Sequence, residues 1–141
     1  MAKYRILLAD SNNQFQTTVR DYLTAQEGIE RVDTVNDGQS ALDAMNNNRY
    51  DVLLCDLIMP GMDGIQVLEE MQRRELLDDI PVIMITADTS ADSMSHAYEL
   101  GVADYIERPF DVQVVRRRVM NTVKLYARQR RLRGFTGQCP Y

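Results

Sequence analysis

Histidine and cysteine are scarce in this chain, and glycine is missing from the segment where a phosphate-binding loop would need it. The single histidine, His96, has no histidine or cysteine partner at ligand spacing, so it reads as a structural residue on a helix. The two cysteines, Cys55 and Cys139, form neither a metal motif nor a disulfide framework. Cys55 sits in an apolar run as a small core residue, and Cys139 reads as a free thiol in the tail. No apolar run approaches about 18 residues, so no membrane span is expected. The opening residues lead straight into a short strand and then Asp10, which is no signal-peptide pattern; a cytoplasmic protein is expected. The net charge of −5 argues against direct nucleic-acid binding.

What is present is an ordinary globular composition, 45% hydrophobic and 26% charged over 141 residues, enough for one domain with a real core. Five short apolar runs, "YRILLA" (4–9), "RVDTV" (31–35), "DVLLC" (51–55), "PVIMIT" (81–86) and "VADYI" (102–106), alternate with amphipathic segments. Three runs are almost continuously apolar, as strands covered on both faces are. "RVDTV" alternates more and suggests an edge. Helical spacing predicts helices over 13–27, 39–48, 64–74 and 90–100, the second entered through Asp37-Gly38 and the fourth, with Met94, Ala97, Tyr98 and Leu100 as its apolar face, stopped by Gly101. A last helix begins near Asp111 with Val112, Val115, Val119, Val123 and Tyr126 as its apolar stripe. The pattern is (βα)5 of the α/β class, with right-handed crossovers and a parallel sheet. A doubly wound five-stranded sheet of flavodoxin-like order 2-1-3-4-5, with helices on both faces, is the economical solution.

In such a sheet the carboxyl ends of the strands share one rim. Asp10 ends the first strand, Asp56 the third and Thr86 the fourth, and Arg108-Pro109 follows the fifth. Each alone has a bland reading, since Asp is a common turn former and helix cap; their convergence is what points to chemistry. Two carboxylates about 4 Å apart repel by about 4 kcal/mol at an effective dielectric of about 20. A hard divalent cation such as Mg²⁺ relieves that repulsion with oxygen ligands. It could then present a phosphoryl donor to one carboxylate as nucleophile, with the hydroxyl and the cation stabilising the transferred group. An aspartyl phosphate is the expected product. Gly61 and Gly64 are expected to permit the tight loop after Asp56.

"ILLAD", "DLIMPGMDG", "ITA" and "ADYIERPF" resemble the signature blocks of response-regulator receiver domains of two-component systems, the family of the chemotaxis regulator, over roughly residues 4–127. The resemblance implies that Asp56 is the phosphoacceptor. Mg²⁺ would bind beside it, with Asp10, Asp56 and the backbone carbonyl of Ile58 among the ligands. Thr86 would contact the phosphoryl group, and Tyr105 would be the aromatic switch residue that follows it inward. The bond before Pro109 is often cis in this family. Implied partners are a sensor histidine kinase or phosphotransfer protein, with no membrane and no nucleic acid contacted by this domain.

Two positions depart from the family pattern. Its paired acids after the first strand read Asp10-Ser11 here, so Ser11 stands where a direct metal ligand is usual, and its hydroxyl is a poorer ligand than a carboxylate. The usual Lys before Pro is Arg108, a wide planar fork instead of a compact ammonium. The leading expectation is a regulatory phosphoacceptor that is not an enzyme beyond self-catalysed phosphotransfer and dephosphorylation. The alternative is a pseudo-receiver with weakened or lost Mg²⁺ binding and phosphorylation, acting as a protein-interaction module. An Asp-nucleophile phosphatase of the haloacid dehalogenase type wants an acid two residues after the nucleophile, where Ile58 stands. Flavin binding wants a glycine-bearing phosphate loop where "ADSNNQ" stands. Residues 1–127 form the expected receiver domain; 128–141, opening with "RQRRLRG", form a helix extension or tail leading to an output module or a homodimer partner.

Overall fold

The computed structural model describes residues 3–87 and 90–138, with side chains described as far as residue 132. Cys139 lies outside the described residues. Strands and helices alternate throughout: β1 (Tyr4–Ala9), α1 (Asn13–Thr24), β2 (Ile29–Val35), α2 (Gly38–Asn47), β3 (Val52–Asp56), α3 (Gly64–Arg73), β4 (Val82–Thr86), α4 (Ala91–Leu100), β5 (Asp104–Glu107) and α5 (Val112–Gln138). The strands form one parallel sheet in the order β2-β1-β3-β4-β5, the order expected as the economical solution, with β2 at an edge.

The period of two along each strand splits the core into two layers. Ile6 and Leu8 of β1, Val52 and Leu54 of β3, and Ile83 and Ile85 of β4 face Val19 and Leu23 of α1 and Val115, Val119 and Val123 of α5. Leu7, Leu53, Cys55, Val82 and Met84 face the other way, toward Ala41, Leu42, Val67, Leu68 and Met71 of α2 and α3. Both faces are therefore apolar, which is why these runs read as continuous rather than alternating. Each fully buried Leu, Ile or Val contributes about 1.5–3 kcal/mol.

Caps set the helix ends. Asn12 accepts from the Phe15 N–H at α1, Asp37 from Ser40 at α2, and Asp63 forms a capping box with Gln66 at α3. Asn48 closes α2, and Gly101 ends α4 in the left-handed region at φ 105°. The polar runs around Asn12 and Asn48 thus serve as helix punctuation.

Differences from the sequence reading are local. β2 begins two residues before "RVDTV", and β5 starts at Asp104 and extends through Glu107. α4 buries only Ala97 of its predicted apolar face, and Tyr98 stays 48% exposed. No helix among the described residues is long and apolar enough to cross a membrane.

Candidate functional site

Sheet register brings the candidate residues to one level. Ala9 pairs with Cys55, so the next residues, Asp10 and Asp56, stand side by side where β1 and β3 end. Asp56 pairs with Ile85, which places Thr86 one step further along β4; Thr86 pairs with Glu107, which places Arg108 one step beyond β5. This rim lies at the topological switch point between β1 and β3, where open α/β sheets bind ligands.

Asp10 is 1% exposed. Its Oδ1 accepts from the Asn12 N–H at 2.8 Å, and its Oδ2 accepts from Arg108 Nη2. The same Nη2 lies 3.6 Å from Asp56 Oδ2, so one guanidinium nitrogen serves both carboxylates. Asp56 is more open, with its side chain 15% exposed, and its Oδ1 accepts from the Ile58 N–H at 3.3 Å. Burial pushes the Asp56 carboxyl above the ordinary carboxylate range; Arg108 pulls it down and Asp10 pushes it up.

Arg108 is held from the side by aromatics. Its Cζ lies 4.0 Å from the Phe15 ring centroid and 6.0 Å from that of Phe110. Phe15 and Phe110 meet edge to face at 5.2 Å between centroids. The Arg108 N–H donates to the Thr86 carbonyl at 2.9 Å, and the Arg108–Pro109 peptide bond is cis.

The loop after Asp56 is shaped by two glycines for different reasons. Gly61 adopts φ 71°, a conformation disfavoured for side-chain-bearing residues. At Gly64 the reason is space, since a Cβ there would lie 2.6 Å from the Asp56 carbonyl oxygen.

Thr86 is fully buried at the end of β4, and Tyr105 is buried on β5 with its ring 6.5 Å from that of Tyr98. Ser11 is exposed in the β1–α1 loop, and Ile58 is exposed in the loop after β3. His96 is exposed on α4. Lys124, Arg128, Arg130 and Arg131 of α5 gather at the opposite, amino end of the sheet. There an open cleft of about 730 Å³ is lined by Lys3, Arg49, Lys124, Arg128, Arg130 and Arg131 with Tyr4, Asp51 and Ala127.

Gln16 is a site residue that sequence reasoning missed. It is buried on α1, and its amide donates to the carbonyls of Asp10 and Val35 and to Asn36 Oδ1, the last two at 2.7 and 2.9 Å. It ties the ends of β1 and β2 together and fixes the backbone that presents Asp10. Its only sequence signal was its place one residue after Phe15 on the helix face that turns inward.

Residues 6–120 match the family model for the response regulator receiver domain. The chain belongs to that family. The receiver domain of Francisella response regulator 1452 superposes with a TM-score of 0.80 at 28% identity, over 86% of this chain and 98% of that one. Chemotaxis protein CheY4 of Vibrio cholerae shares the fold with a TM-score of 0.76 at 22% identity, over 86% and 99% of the two chains. A LuxR-family DNA-binding response regulator from Staphylococcus aureus does so with a TM-score of 0.78 at 21% identity, over 85% and 98%.

Receiver domains generally bind Mg²⁺ at their phosphorylation site. The donor set of this chain fits the ion poorly. A guanidinium nitrogen already stands between the two carboxylates. Ser11 offers a neutral hydroxyl, and Asn12 spends its side-chain oxygen on the α1 cap. Among the described residues no three His, Cys, Asp or Glu side chains converge to hold a metal.

Proposed function

We propose that this receiver accepts a phosphoryl group on Asp56 and thereby switches a protein-interaction surface. The observation that carries the reading is the meeting of Asp10, Asp56 and one Arg108 nitrogen at the carboxyl rim of the sheet. The donor is the phosphohistidine of a sensor kinase or phosphotransfer protein, the class of partner with which receiver domains interact. An Asp56 oxygen forms the new bond to phosphorus, and the bond from phosphorus to the donor nitrogen breaks with its electron pair remaining on the imidazole. Arg108 stabilises the charge on the transferred oxygens. The domain is a regulatory phosphoacceptor rather than an enzyme acting on a separate substrate, and it works in the cytoplasm, where such kinases present their phosphohistidine.

The switching surface is the α4–β5 side. α4 is fastened by one buried residue, Ala97, so it is held less firmly than α2 or α3. Tyr105, beneath Tyr98, joins that surface to the strand end where Thr86 lies. A new charge on Asp56 biases the balance between two packings there. The far end of α5 leads toward an output module or a partner copy.

A second reading, a pseudo-receiver that works by partner binding alone, is favoured by one observation: Arg108 already neutralises the rim by its pairing with Asp10. Treatment of the folded chain with acetyl phosphate, followed by intact-mass and peptide analysis, separates the two. One phosphoryl group on Asp56 supports the acceptor; an unmodified Asp56 supports the pseudo-receiver.

A further inference from the structure

Four observations at the rim bear on where its positive charge comes from. The first is demand: two carboxylates share the strand ends, one of them almost wholly buried, and their repulsion requires a cation. The second is supply, since Arg108 Nη2 hydrogen-bonds Asp10 Oδ2 and lies 3.6 Å from Asp56 Oδ2. The third is fixity. The Arg108 side chain is 22% exposed and its guanidinium lies 4.0 Å over the Phe15 ring, which Phe110 braces edge to face. Its Nε is buried with no hydrogen-bond partner, so the side chain is held by its tip and its aromatic face. The fourth is the position of Ser11, exposed in the loop and lacking the carboxylate that would draw in a divalent ion.

We propose that Arg108 is the resident cation of this site. Its guanidinium, clamped over Phe15 and paired with Asp10, stands where a divalent metal would, and the phosphoryl group reaches Asp56 without one. A divalent ion placed among the same oxygens would face the fixed positive charge of the guanidinium and one carboxylate fewer. A guanidinium has five N–H donors in a planar fork, so bonding Asp10 leaves others for the oxygens of a phosphoryl group on Asp56. With acetyl phosphate as donor, an Asp56 oxygen bonds to phosphorus, and the bond to the acetyl oxygen breaks with its pair leaving on acetate. No proton or further reactant is needed for the balance.

The inference rests on Asp56 being the acceptor, so it is tested by two readouts, one of which is independent of phosphorylation. The full chain, Arg108→Ala and Arg108→Lys are titrated with MgCl₂ by calorimetry. Each is also treated with acetyl phosphate in excess EDTA or in MgCl₂ and weighed by mass spectrometry. The wild type is expected to show no saturable Mg²⁺ binding below about 1 mM and equal Asp56 adduct in both media. Arg108→Ala is expected to lose about a hundredfold in adduct rate in EDTA and to gain Mg²⁺ affinity. Arg108→Lys, which keeps the charge and the fold but not the planar fork, is expected to shift the same way by less. Sub-millimolar Mg²⁺ binding by the wild type, or an adduct that forms only with Mg²⁺, overturns the inference while leaving Asp56 as the acceptor. No adduct in either medium overturns the acceptor reading, and the Mg²⁺ titration still decides whether Arg108 excludes the metal.

Discussion

Truncating Arg108 to alanine removes the cation from two carboxylates at once, and the structure sets the scale of the loss. The 3.6 Å separation between Arg108 Nη2 and Asp56 Oδ2 corresponds to about 4–5 kcal/mol of gross attraction at an effective dielectric of about 20. Desolvation of the partners cancels a good part of it. What remains is the cost of leaving Asp10, at 1% exposure, without its partner, about 2–3 kcal/mol for a partly exposed pair. For a domain of this size that lowers Tm by about 8 °C. The cleanest assay is a double-mutant cycle in urea with Asp10→Asn, which removes the stranded charge. Arg108→Ala in the Asp10→Asn background is expected to cost about 1 kcal/mol or less, because the almost wholly buried carboxylate is then gone and only the more open Asp56 loses its partner. The pH dependence has a definite sign. Arg108 is the charge that lowers the Asp56 carboxyl, so its removal moves that group further above its unfolded value. The folded chain then holds a proton that the unfolded chain releases, so stability falls as pH rises through that window and the penalty narrows in acid. An additive cycle, or an Arg108→Ala variant as stable as wild type, refutes the claim that this arginine neutralises the rim.

Three further outcomes follow from the same structure. Asp56→Asn is expected to raise stability by about 1 kcal/mol at neutral pH, since burial already disfavours the charged carboxyl; a loss of stability in urea would contradict this. Gly64→Ala places a Cβ 2.6 Å from the Asp56 carbonyl oxygen and is expected to cost about 2 kcal/mol and to slow Asp56 modification, which thermal melts and adduct rates check together. Tyr50 donates to Asp33 Oδ2 at 2.5 Å, and burial followed by that bond pushes its hydroxyl up to about 12. The unfolded tyrosine ionises near pH 10, so wild-type stability is expected to fall between about pH 10 and 12, while Tyr50→Phe loses about 1.5 kcal/mol and this part of the slope.

Legibility from sequence followed the range of the interaction. The doubly wound sheet was readable because the apolar runs are short, closely spaced and buried on both faces. Asp10, Asp56, Thr86 and Arg108 were readable because strand ends are positions that periodicity locates, and parallel register then aligns them. The clamp on Arg108 was not, because Phe15 lies on α1 and Phe110 follows β5, and nothing local announces that they meet. Gln16 escaped because nothing in the sequence marks a polar helix residue as buried, whereas its amide satisfies backbone carbonyls that the ends of β1 and β2 leave open. Tyr98 erred the other way: its helical spacing matched the apolar face, but α4 rests on the sheet through Ala97 and leaves that ring half outside. Helix and strand ends shifted by one to three residues, as at β5, where hydrophobicity begins at Val102 but pairing begins at Asp104.

The departures at Ser11 and Arg108 are complementary in charge. Exchanging a carboxylate for a hydroxyl lowers the demand for a divalent cation, and a planar guanidinium braced by two rings meets what remains. On the reading proposed above, Asp56 keeps the surroundings that an acceptor needs, arranged around a cation that belongs to the chain.

The central claim is that Asp56 is chemically competent, and the most direct measurement is the mass of the folded chain after acetyl phosphate, beside Asp56→Asn treated alike. One phosphoryl group is expected on the wild type, mapped to Asp56, and none on the variant. A folded wild type that stays unmodified, or a phosphoryl group mapped to any other residue, would contradict it.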